Sequence, residues 1–558
     1  MDPRPARVLP SLSLRTTQRA PRSCLSCASR KVRCDKSVPC SQCIRRGEAA
    51  SCVRETVIVR GQITTRVDEP GVLTYEELAR ETARLRAALQ ANAPRRPREP
   101  PSAPAHAAEA CAPDHDEAAL FQADRMLEKK PIISFNEKEI LLPSPQCSTA
   151  LIAHDEASNS WVHYALEYPG FAHQHSAFLS RLEHEASLEA FDSSWLAVYF
   201  AVISAALLTM NDEGSACLDL PIPDVQLLRR NWYDASLYFL HKADFLRRPR
   251  IETVQAVAIQ GMLYVNFGDS TLYRTMWACA IRVSHIIGLS KCHSGIVGLS
   301  QQAQHRLWWT LVICAWMGGA PTSNIHEDDF TVPLPQVTEE GSVSTGDGSR
   351  IHPVQYHIFM SRAARAYHHF QLVLRTGQKP KMEVVRAADE RLAELIDGLP
   401  HHLQPGRDED QDMELQRRFP WIKWQSVEFT LSLLYHRLCL YRVLQDEWMQ
   451  EPEQYASARA VCLITARDII WVSQHWELPH SERRQWPFAL HLFCAGSFLI
   501  REGRRTAADA EADWIVEVEK CISYLDQVSS WNALAAQASN MLQQRLDSAI
   551  SAATKPTG

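Results

Sequence analysis

The sequence predicts a small zinc cluster near the amino terminus, a short coiled-coil helix after it, and a large all-α domain that occupies most of the chain. Three observations lead to this prediction. Six cysteines fall within the 29 residues 24–52. Residues 74–92 carry apolar side chains at heptad spacing. From about residue 150 onward, apolar stripes with the helical period follow one another and strand-like alternation is scarce.

The six cysteines form two Cys-x-x-Cys pairs, each followed by one further cysteine; they are Cys24, Cys27, Cys34, Cys40, Cys43 and Cys52. Structural zinc prefers four ligands in a tetrahedron, and two separate sites need eight. Six thiolates suffice if two of them bridge the ions. A disulfide framework, a single four-cysteine zinc site with two spare thiols and a redox-active pair are the alternatives. The length of the chain and its lack of an apolar signal segment favour the zinc cluster.

The stretch CLSCASRKVRCDKSVPCSQCIRRGEAASC, with Arg30-Lys31-Val32-Arg33-Cys34-Asp35 and Pro39-Cys40, resembles the DNA-binding module of the fungal Zn2Cys6 binuclear-cluster transcription factors. The resemblance implies that Cys24 and Cys40 bridge two Zn2+ ions. Cys27 and Cys34 then complete one site, and Cys43 and Cys52 complete the other. The resemblance also implies that Lys31 reaches base edges of a CGG half-site from the end of a short helix.

Basic residues surround the cluster. Short helices are expected at 26–33 and 41–47, and the first of them carries Arg30, Lys31 and Arg33, which are expected to contact DNA. Lys36, Arg45 and Arg46 are expected to contact phosphates, which position a protein on duplex DNA without selecting a sequence. Residues 1–66 hold 14 basic and 4 acidic side chains, a net +10, whereas the remainder holds 45 and 61, a net −16. A basic amino-terminal segment of this kind is typical of a protein that binds polyanionic DNA.

The segments around the cluster are assigned from composition. Residues 1–23 are predicted to be a disordered basic arm, 24–52 the DNA-binding domain, 53–73 an extended linker, and 93–149 a disordered Pro/Ala-rich hinge. Residues 74–92 are predicted to form a dimerisation helix, with a single amphipathic helix as the alternative. Its heptad positions a are Tyr75, Thr82 and Leu89, and its positions d are Leu78, Leu85 and Asn92.

Residues 150–550 are predicted to form one irregular all-helical domain, since no regular 34-residue repeat is present. Helical stripes are expected at 192–210, 224–247, 251–267, 271–289, 301–317, 352–376, 382–397, 424–447, 453–475, 487–501, 507–526 and 529–550. Residues 251–290 and 305–335 resemble the regulatory, or middle homology, domain of the same fungal family. The residues that carry the likeness are Arg306, Trp308, Trp309, Leu334 and Pro335.

Two other classes of protein have less support in the sequence. Residues 193–210 form an 18-residue run without a charge, the lower limit for a membrane span. The serines within it and a capping residue at Asp192 or Ser193 favour a buried helix instead. No HExxH, GxGxxG, GxxxxGK[ST] or GxSxG pattern is present, so the sequence indicates no enzyme, and it locates no small-molecule pocket.

The expected function is therefore a nuclear, sequence-specific regulator of RNA polymerase II transcription, an activator that binds double-stranded DNA at CGG-like half-sites as a homodimer. Transcription machinery is the expected further partner, with no membrane partner, and one biosynthetic gene cluster is a candidate target. The alternative is an enzyme or small-molecule sensor in which the zinc cluster is only structural.

Overall fold

The structure is a computed structural model of the 558-residue chain. It describes residues 16–17, 23–35, 37, 39–49, 52, 57–59, 62–64, 115–125, 135–185, 187–292, 295–296, 298–318, 325–338, 342–344, 350–404, 419, 421–475, 481–506 and 513–553. The chain divides into two compact units, Met1–Ser102 and Ala103–Gly558. Each unit is described separately below.

The amino-terminal unit contains two short helices and a small sheet. The helices are α1 (Leu25–Ser29) and α2 (Ser41–Arg45). Strand β1 (Thr16–Thr17) pairs in parallel with β2 (Val57–Val59), which pairs antiparallel with β3 (Gln62–Thr64) in the register Ile58 to Ile63. The expectation of a wholly disordered arm over 1–23 is therefore wrong at β1. The linker over 53–73 is extended as expected at β2 and β3, but it is also hydrogen-bonded, because β-branched residues favour paired strands.

The second unit is predominantly helical, as the sequence predicts. Its helices are α3 (His115–Arg125), α4 (Pro145–His154), α5 (Ser160–His163), α6 (Tyr168–Leu182), α7 (Ser193–Thr209), α8 (Asp212–Ala216), α9 (Val225–Lys242), α10 (Ile251–Gln260), α11 (Ser270–Ile287), α12 (Gln301–Met317), α13 (Val354–Thr376), α14 (Lys381–Asp397), α15 (Trp421–Arg442), α16 (Gln445–Gln450), α17 (Ala456–His475), α18 (Trp486–Thr506), α19 (Asp513–Val528) and α20 (Ala533–Ala553). Strands β4 (Val343–Ser344) and β5 (Arg350–Ile351) form a two-stranded ribbon.

The uncharged run at 193–210 is the central helix α7, and all of its residues except Ser193 and Trp195 are buried. The Asp192 carboxylate caps it by accepting hydrogen bonds from the amides of Ser194 (2.8 Å) and Trp195 (3.2 Å). A serine within the run bonds to a neighbouring helix, since Ser204 Oγ donates to the carbonyl of Arg229 at 2.9 Å. These bonds satisfy polar atoms that a lipid environment would leave without partners. None of the described helices is both long enough and apolar enough to cross a membrane.

The stretch that resembles the regulatory domain forms part of the core. Trp308 and Trp309 are fully buried on α12, and Trp309 Nε1 donates to the carbonyl of Pro333 at 2.9 Å. This bond ties the Trp pair to the loop that ends in Leu334 and Pro335. The Arg306 guanidinium lies 5.7 Å from the centre of the Tyr164 ring. The recurrent residues of this stretch therefore connect α12 to its following loop.

The expectation of a disordered hinge over 93–149 is wrong for part of that range. Residues 115–125 form helix α3, and 145–154 form helix α4. Helix α3 is held by Asp116, whose carboxylate accepts from Arg545 Nη1 at 2.7 Å and from Arg442 Nη2 at 3.1 Å, and which also pairs with Arg501. The Pro/Ala-rich composition of the surrounding chain gave no sign of this helix, which is held by ion pairs and by burial of Leu120 and Phe121 in the core. The predicted dimerisation helix, 74–92, lies outside the described residues.

Candidate metal centre and nucleic-acid interface

Two cysteines begin the two short helices in the same way. Cys24 is the N-cap of α1, and its Sγ accepts a hydrogen bond from the amide of Cys27 at 3.4 Å. Cys40 is the N-cap of α2, and its Sγ accepts from the amide of Cys43, also at 3.4 Å. A third such bond runs from the amide of Cys40 to Cys52 Sγ at 3.3 Å. Each Cys-x-x-Cys pair therefore forms the first turn of a helix, which aims both of its sulfurs to one side.

The six cysteines form one buried cluster. Their exposed fractions lie between 0% and 9%, although the unit around them is small. The sulfurs of Cys24, Cys27, Cys40 and Cys43 lie within 4.8 Å of one another, and Cys34 Sγ lies within the same distance of Cys40 Sγ. Individual separations are 3.8 Å from Cys24 to Cys40, 3.8 Å from Cys24 to Cys43 and 3.6 Å from Cys27 to Cys40.

These separations match the geometry of zinc bound to thiolates. A Zn–S bond of about 2.3 Å in a regular tetrahedron separates neighbouring sulfurs by about 3.8 Å. A disulfide requires a sulfur separation of about 2.05 Å, and all six cysteines are free. The cluster therefore fits zinc and excludes a disulfide framework among these residues.

The local chemistry also favours metal binding. The hydrogen bond from the Cys43 amide is the main reason that the pKa of Cys40 is lowered to about 6, which favours the thiolate. Burial, together with the neighbouring sulfurs of Cys24 and Cys40, raises the pKa of Cys27 to about 12. A thiolate at Cys27 therefore needs a compensating cation beside it. Zinc supplies that charge, because only deprotonated cysteines are its ligands.

Lys31 occupies an unusual backbone position at the end of α1. Its φ is +54°, in the left-handed region, and its amide donates to the carbonyl of Ala28 at 3.2 Å. The next amide, that of Val32, donates to the carbonyl of Cys27 at 3.1 Å. Together these two bonds form a Schellman C-cap, whose left-handed residue is usually glycine.

The second helix ends in the same motif with the usual residue. Gly47 has φ of +73° and donates to the carbonyl of Ile44 at 3.0 Å, and Glu48 donates to that of Cys43 at 2.9 Å. Lys31 after α1 therefore occupies the position that corresponds to Gly47 after α2. A lysine costs roughly 1–2 kcal/mol in this conformation relative to glycine. Strain of this kind is concentrated at functional positions, which supports a role for the Lys31 side chain.

The other predicted DNA-contacting residues differ in their availability. Lys31, Arg33, Arg45 and Arg46 are exposed around the buried sulfurs. The guanidinium of Arg30 instead forms an ion pair with Glu48. Lys36 lies outside the described residues. The cationic surface in the described residues therefore consists of four side chains near the ends of α1 and α2, namely Lys31, Arg33, Arg45 and Arg46.

Asp35 belongs to the quoted motif, but the sequence alone assigned it no role. Its carboxylate accepts hydrogen bonds from the amide of Ser41 (2.8 Å), from the hydroxyl of Ser37 (2.8 Å) and from the amide of Ser37 (3.2 Å). Bonds from Ser41, followed by those from Ser37, hold the pKa of Asp35 well below its usual range. Asp35 thus fixes the loop between Cys34 and Cys40 to the start of α2. Its position directly after Cys34 was the available signal.

Comparison with known protein families identifies both parts of the chain. Residues 22–59 match the fungal Zn(2)-Cys(6) binuclear cluster domain, and residues 167–395 match the fungal specific transcription factor domain. The second match extends the resemblance beyond the stretches that carried it in the sequence. The cofactor of the amino-terminal cluster is therefore zinc, with two ions per chain.

One known protein resembles most of the chain, and another resembles a short stretch of it. The agnestins biosynthesis cluster transcription factor AgnL11 of Paecilomyces divaricatus is 22% identical over 524 residues, which cover 81% of this chain and 73% of that protein. Transcription factor lepE of Aspergillus flavus is 45% identical over 47 residues, 8% of this chain and 6% of that protein.

A solved structure shares the fold. The K. lactis CBF3 core superposes with a TM-score of 0.52 at 12% sequence identity, over 78% of this chain and 89% of that one. At this identity the likeness concerns the fold alone. The two domain matches and the relative that spans most of the chain give the same assignment. The chain carries a fungal Zn(2)-Cys(6) binuclear cluster domain and a fungal specific transcription factor domain, and in both it resembles the fungal Zn2Cys6 binuclear-cluster transcription factors.

Proposed function

We propose that this protein is a nuclear, sequence-specific DNA-binding regulator of RNA polymerase II transcription, that it activates its targets, and that it binds CGG-type half-sites as a homodimer. One observation carries the proposal: a strained lysine and three exposed arginines surround a rigid, buried six-sulfur cluster. A cationic side chain held at one spot can select guanine acceptors in the major groove, whereas a mobile one contacts any phosphate.

Each cysteine has an assigned role in this proposal. Cys24 and Cys40 bridge the two zinc ions, Cys27 and Cys34 complete one site, and Cys43 and Cys52 complete the other. The short separations from Cys24 to Cys40 and Cys43, and from Cys40 to Cys27, support the bridging roles of Cys24 and Cys40. When bound, zinc cross-links the two helix starts. The protein itself then orients the surface that meets DNA.

The basic residues around the cluster make two kinds of contact with DNA, one to base edges and one to phosphates. Lys31 contacts base edges from the end of α1. Arg33, Arg45 and Arg46 contact phosphates, as does Lys36. Arg30 was also expected to contact DNA, and its ion pair with Glu48 instead supports a role in joining the two halves of the cluster. Binding should weaken steeply with salt, because phosphate neutralisation releases counterions.

The remaining parts of the proposal concern assembly and targets. Helix 74–92 brings two chains together, and the residues between it and the cluster set the separation of paired half-sites. The net −16 of the chain beyond residue 66 suits recruitment of transcription machinery and not DNA contact. Regulation of a biosynthetic gene cluster is supported by the relative AgnL11, which is itself a biosynthesis cluster transcription factor.

The proposal is tested by measuring binding of the full-length chain to two duplexes of equal length and GC content, one with paired CGG half-sites and one with those triplets scrambled. Zinc-dependent binding at least ~100-fold tighter to the CGG duplex is expected at physiological salt. Equal affinity for both duplexes, or preference that persists after chelation of zinc, contradicts the proposal.

A further inference from the structure

A cavity of about 190 Å³ lies inside the helical unit, where side chains of eight helices converge. The helices are α3, α5, α10, α11, α12, α13, α15 and α18. Cavities of this size are rare in closely packed protein interiors, which hold few voids larger than a water molecule. An apolar cavity of roughly 150 Å³ accommodates benzene, so this one has room for a slightly larger molecule.

Aromatic rings form much of the cavity wall, including those of Phe121, Tyr273, Trp277, Tyr356 and Trp486. The Tyr273 ring lies 5.4 Å from that of Trp277 and 5.8 Å from that of Trp486, measured between ring centres. Indole Nε1 of Trp277 donates to the carbonyl of Leu311 (3.2 Å) and that of Trp486 to the carbonyl of Gly261 (3.1 Å), so both rings are fixed in place. Fixed aromatic faces favour a flat aromatic ligand.

Several of the polar residues that line the cavity carry a buried side-chain atom for which the described part of the chain supplies no hydrogen-bond partner. These atoms are Arg274 Nη2, Gln485 Nε2, Glu428 Oε2, His357 Nδ1 and His491 Nδ1. His357, Gln485 and His491 are only 2%, 3% and 6% exposed. A buried polar atom without a partner costs about 1–3 kcal/mol. The presence of several such residues in one cavity wall favours a ligand that brings complementary polar groups.

The donors and acceptors define what that molecule must carry. Arg274 and Gln485 present N–H donors, so the molecule needs oxygen acceptors. Burial raises the pKa of Glu428 to about 7, so its carboxyl group is available as acceptor or donor near neutrality. Burial, with the Arg306 charge as a second cause, lowers the pKa of His357 to about 3, and burial likewise lowers that of His491 to about 3. Both imidazoles are therefore neutral, which disfavours a strongly anionic ligand.

We propose that this cavity binds an oxygenated aromatic molecule of one ring, with a carbonyl or hydroxyl oxygen that accepts from Arg274 and Gln485 and a hydroxyl group that bonds to Glu428. The site goes beyond the DNA-binding function and does not depend on it, because it is formed entirely by residues of the second unit.

The occupied site also involves helix α3. Glu117 and Phe121 of α3 line the cavity, and Tyr435 Oη donates to Glu117 Oε2 at 3.0 Å. The neighbouring residue Asp116 anchors the same helix to the body through its arginine contacts. A ligand that contacts Glu117 and Phe121 therefore adds to the forces that hold α3. Binding should slow local opening of this helix.

The test uses the full-length chain and 2′,4′-dihydroxyacetophenone, which carries one carbonyl and two hydroxyl groups on a single ring. Isothermal titration calorimetry should give saturable binding with Kd below about 1 mM, appropriate for a probe of this size. Ethylbenzene, which matches its apolar part without the oxygens, should bind at least about fivefold more weakly. No saturable binding of the acetophenone, or equal Kd values for both compounds, overturns the proposal.

Arg274→Met should raise the Kd of the acetophenone about tenfold or more, since it removes a charged donor. Arg282→Met is the matched control, because Arg282 is exposed on the same helix, α11. Equal Kd values for the two variants overturn the assignment of Arg274. Hydrogen exchange of the unmodified chain does not depend on how the variants fold. The probe should slow exchange across 115–125, and binding without that protection places the ligand elsewhere and overturns the proposal.

Discussion

Replacing Lys31 by glycine should change cluster stability and DNA binding in opposite directions. The positive φ of Lys31 costs roughly 1–2 kcal/mol, which glycine does not incur. Glycine gains about 0.4–1 kcal/mol more backbone entropy in the unfolded chain, which offsets part of that gain. Lys31→Gly should therefore stabilise the cluster by about 0.5–1 kcal/mol. Loss of the base contact should weaken binding to the CGG duplex by about 1–3 kcal/mol, or ~5- to 150-fold.

Gly47 supplies the matched control. It holds the same place in α2 with φ of +73°, and a Cβ added there would meet no atom within 4 Å. Gly47→Ala should therefore destabilise the cluster by a similar amount, through backbone strain alone, without removing a DNA contact. Comparison of the two variants therefore distinguishes the effect of backbone strain on cluster stability from the effect of the Lys31 side chain on DNA recognition.

Two assays on the full-length chain measure these effects. Transfer of zinc to a chromophoric chelator reports opening of the cluster, and it should be slower for Lys31→Gly and faster for Gly47→Ala. Fluorescence anisotropy with the CGG and scrambled duplexes reports recognition, and only Lys31→Gly should lose preference for the CGG duplex. If Lys31→Gly releases zinc faster, or keeps the full preference, the interpretation of Lys31 as a strained recognition residue is wrong.

Two further predictions concern the helical unit. Asp116→Asn should lower the free energy of opening α3 by about 2–3 kcal/mol, less than the full cost of a buried pair because Arg501 and Arg545 are partly exposed. Hydrogen exchange at 115–125 should then accelerate ~30-fold or more. Glu517→Gln removes one partner of an exposed ion pair and should change that exchange rate little. Equal exchange rates in the two variants contradict the prediction. Burial raises the pKa of Glu482 to about 8, so the folded chain retains a proton that the unfolded chain releases. The free energy of unfolding should therefore fall as pH rises from about 5 to 8. Urea unfolding of Glu482→Gln should lack this loss, on the order of 2–4 kcal/mol, and an unchanged pH slope would exclude Glu482 as its source.

The sequence predicted those features that depend on local pattern. Helical periodicity located the stripes from 192 to 550, because amphipathic and buried helices carry a 3.6-residue signal. The central helix α7 and its cap at Asp192 followed from an uncharged run with a capping residue before it. The cysteine spacing likewise predicted the cluster, because a Cys-x-x-Cys pair places two sulfurs on one helix turn.

Features that depend on contacts between distant residues were not predicted. Helix α3 has too few apolar residues for a clear stripe, and it is held by arginines more than 300 positions away along the chain. The cavity brings together eight helices and has no local signature. The ion pair of Arg30 with Glu48 and the strain at Lys31 arise from the turn geometry of the folded cluster. A one-dimensional pattern contains none of these contacts.

The zinc content of Cys40→Ser in the full-length chain tests the central claim most directly, because a bridging thiolate belongs to both ions. Cys217→Ser is the matched control, since Cys217 is exposed and belongs to the helical unit. Mass spectrometry of the purified proteins should find two zinc ions per chain in the control and fewer in Cys40→Ser, because both sites lose a ligand. If Cys40→Ser retains two zinc ions per chain, Cys40 does not bridge, and the shared-sulfur cluster proposed here is contradicted.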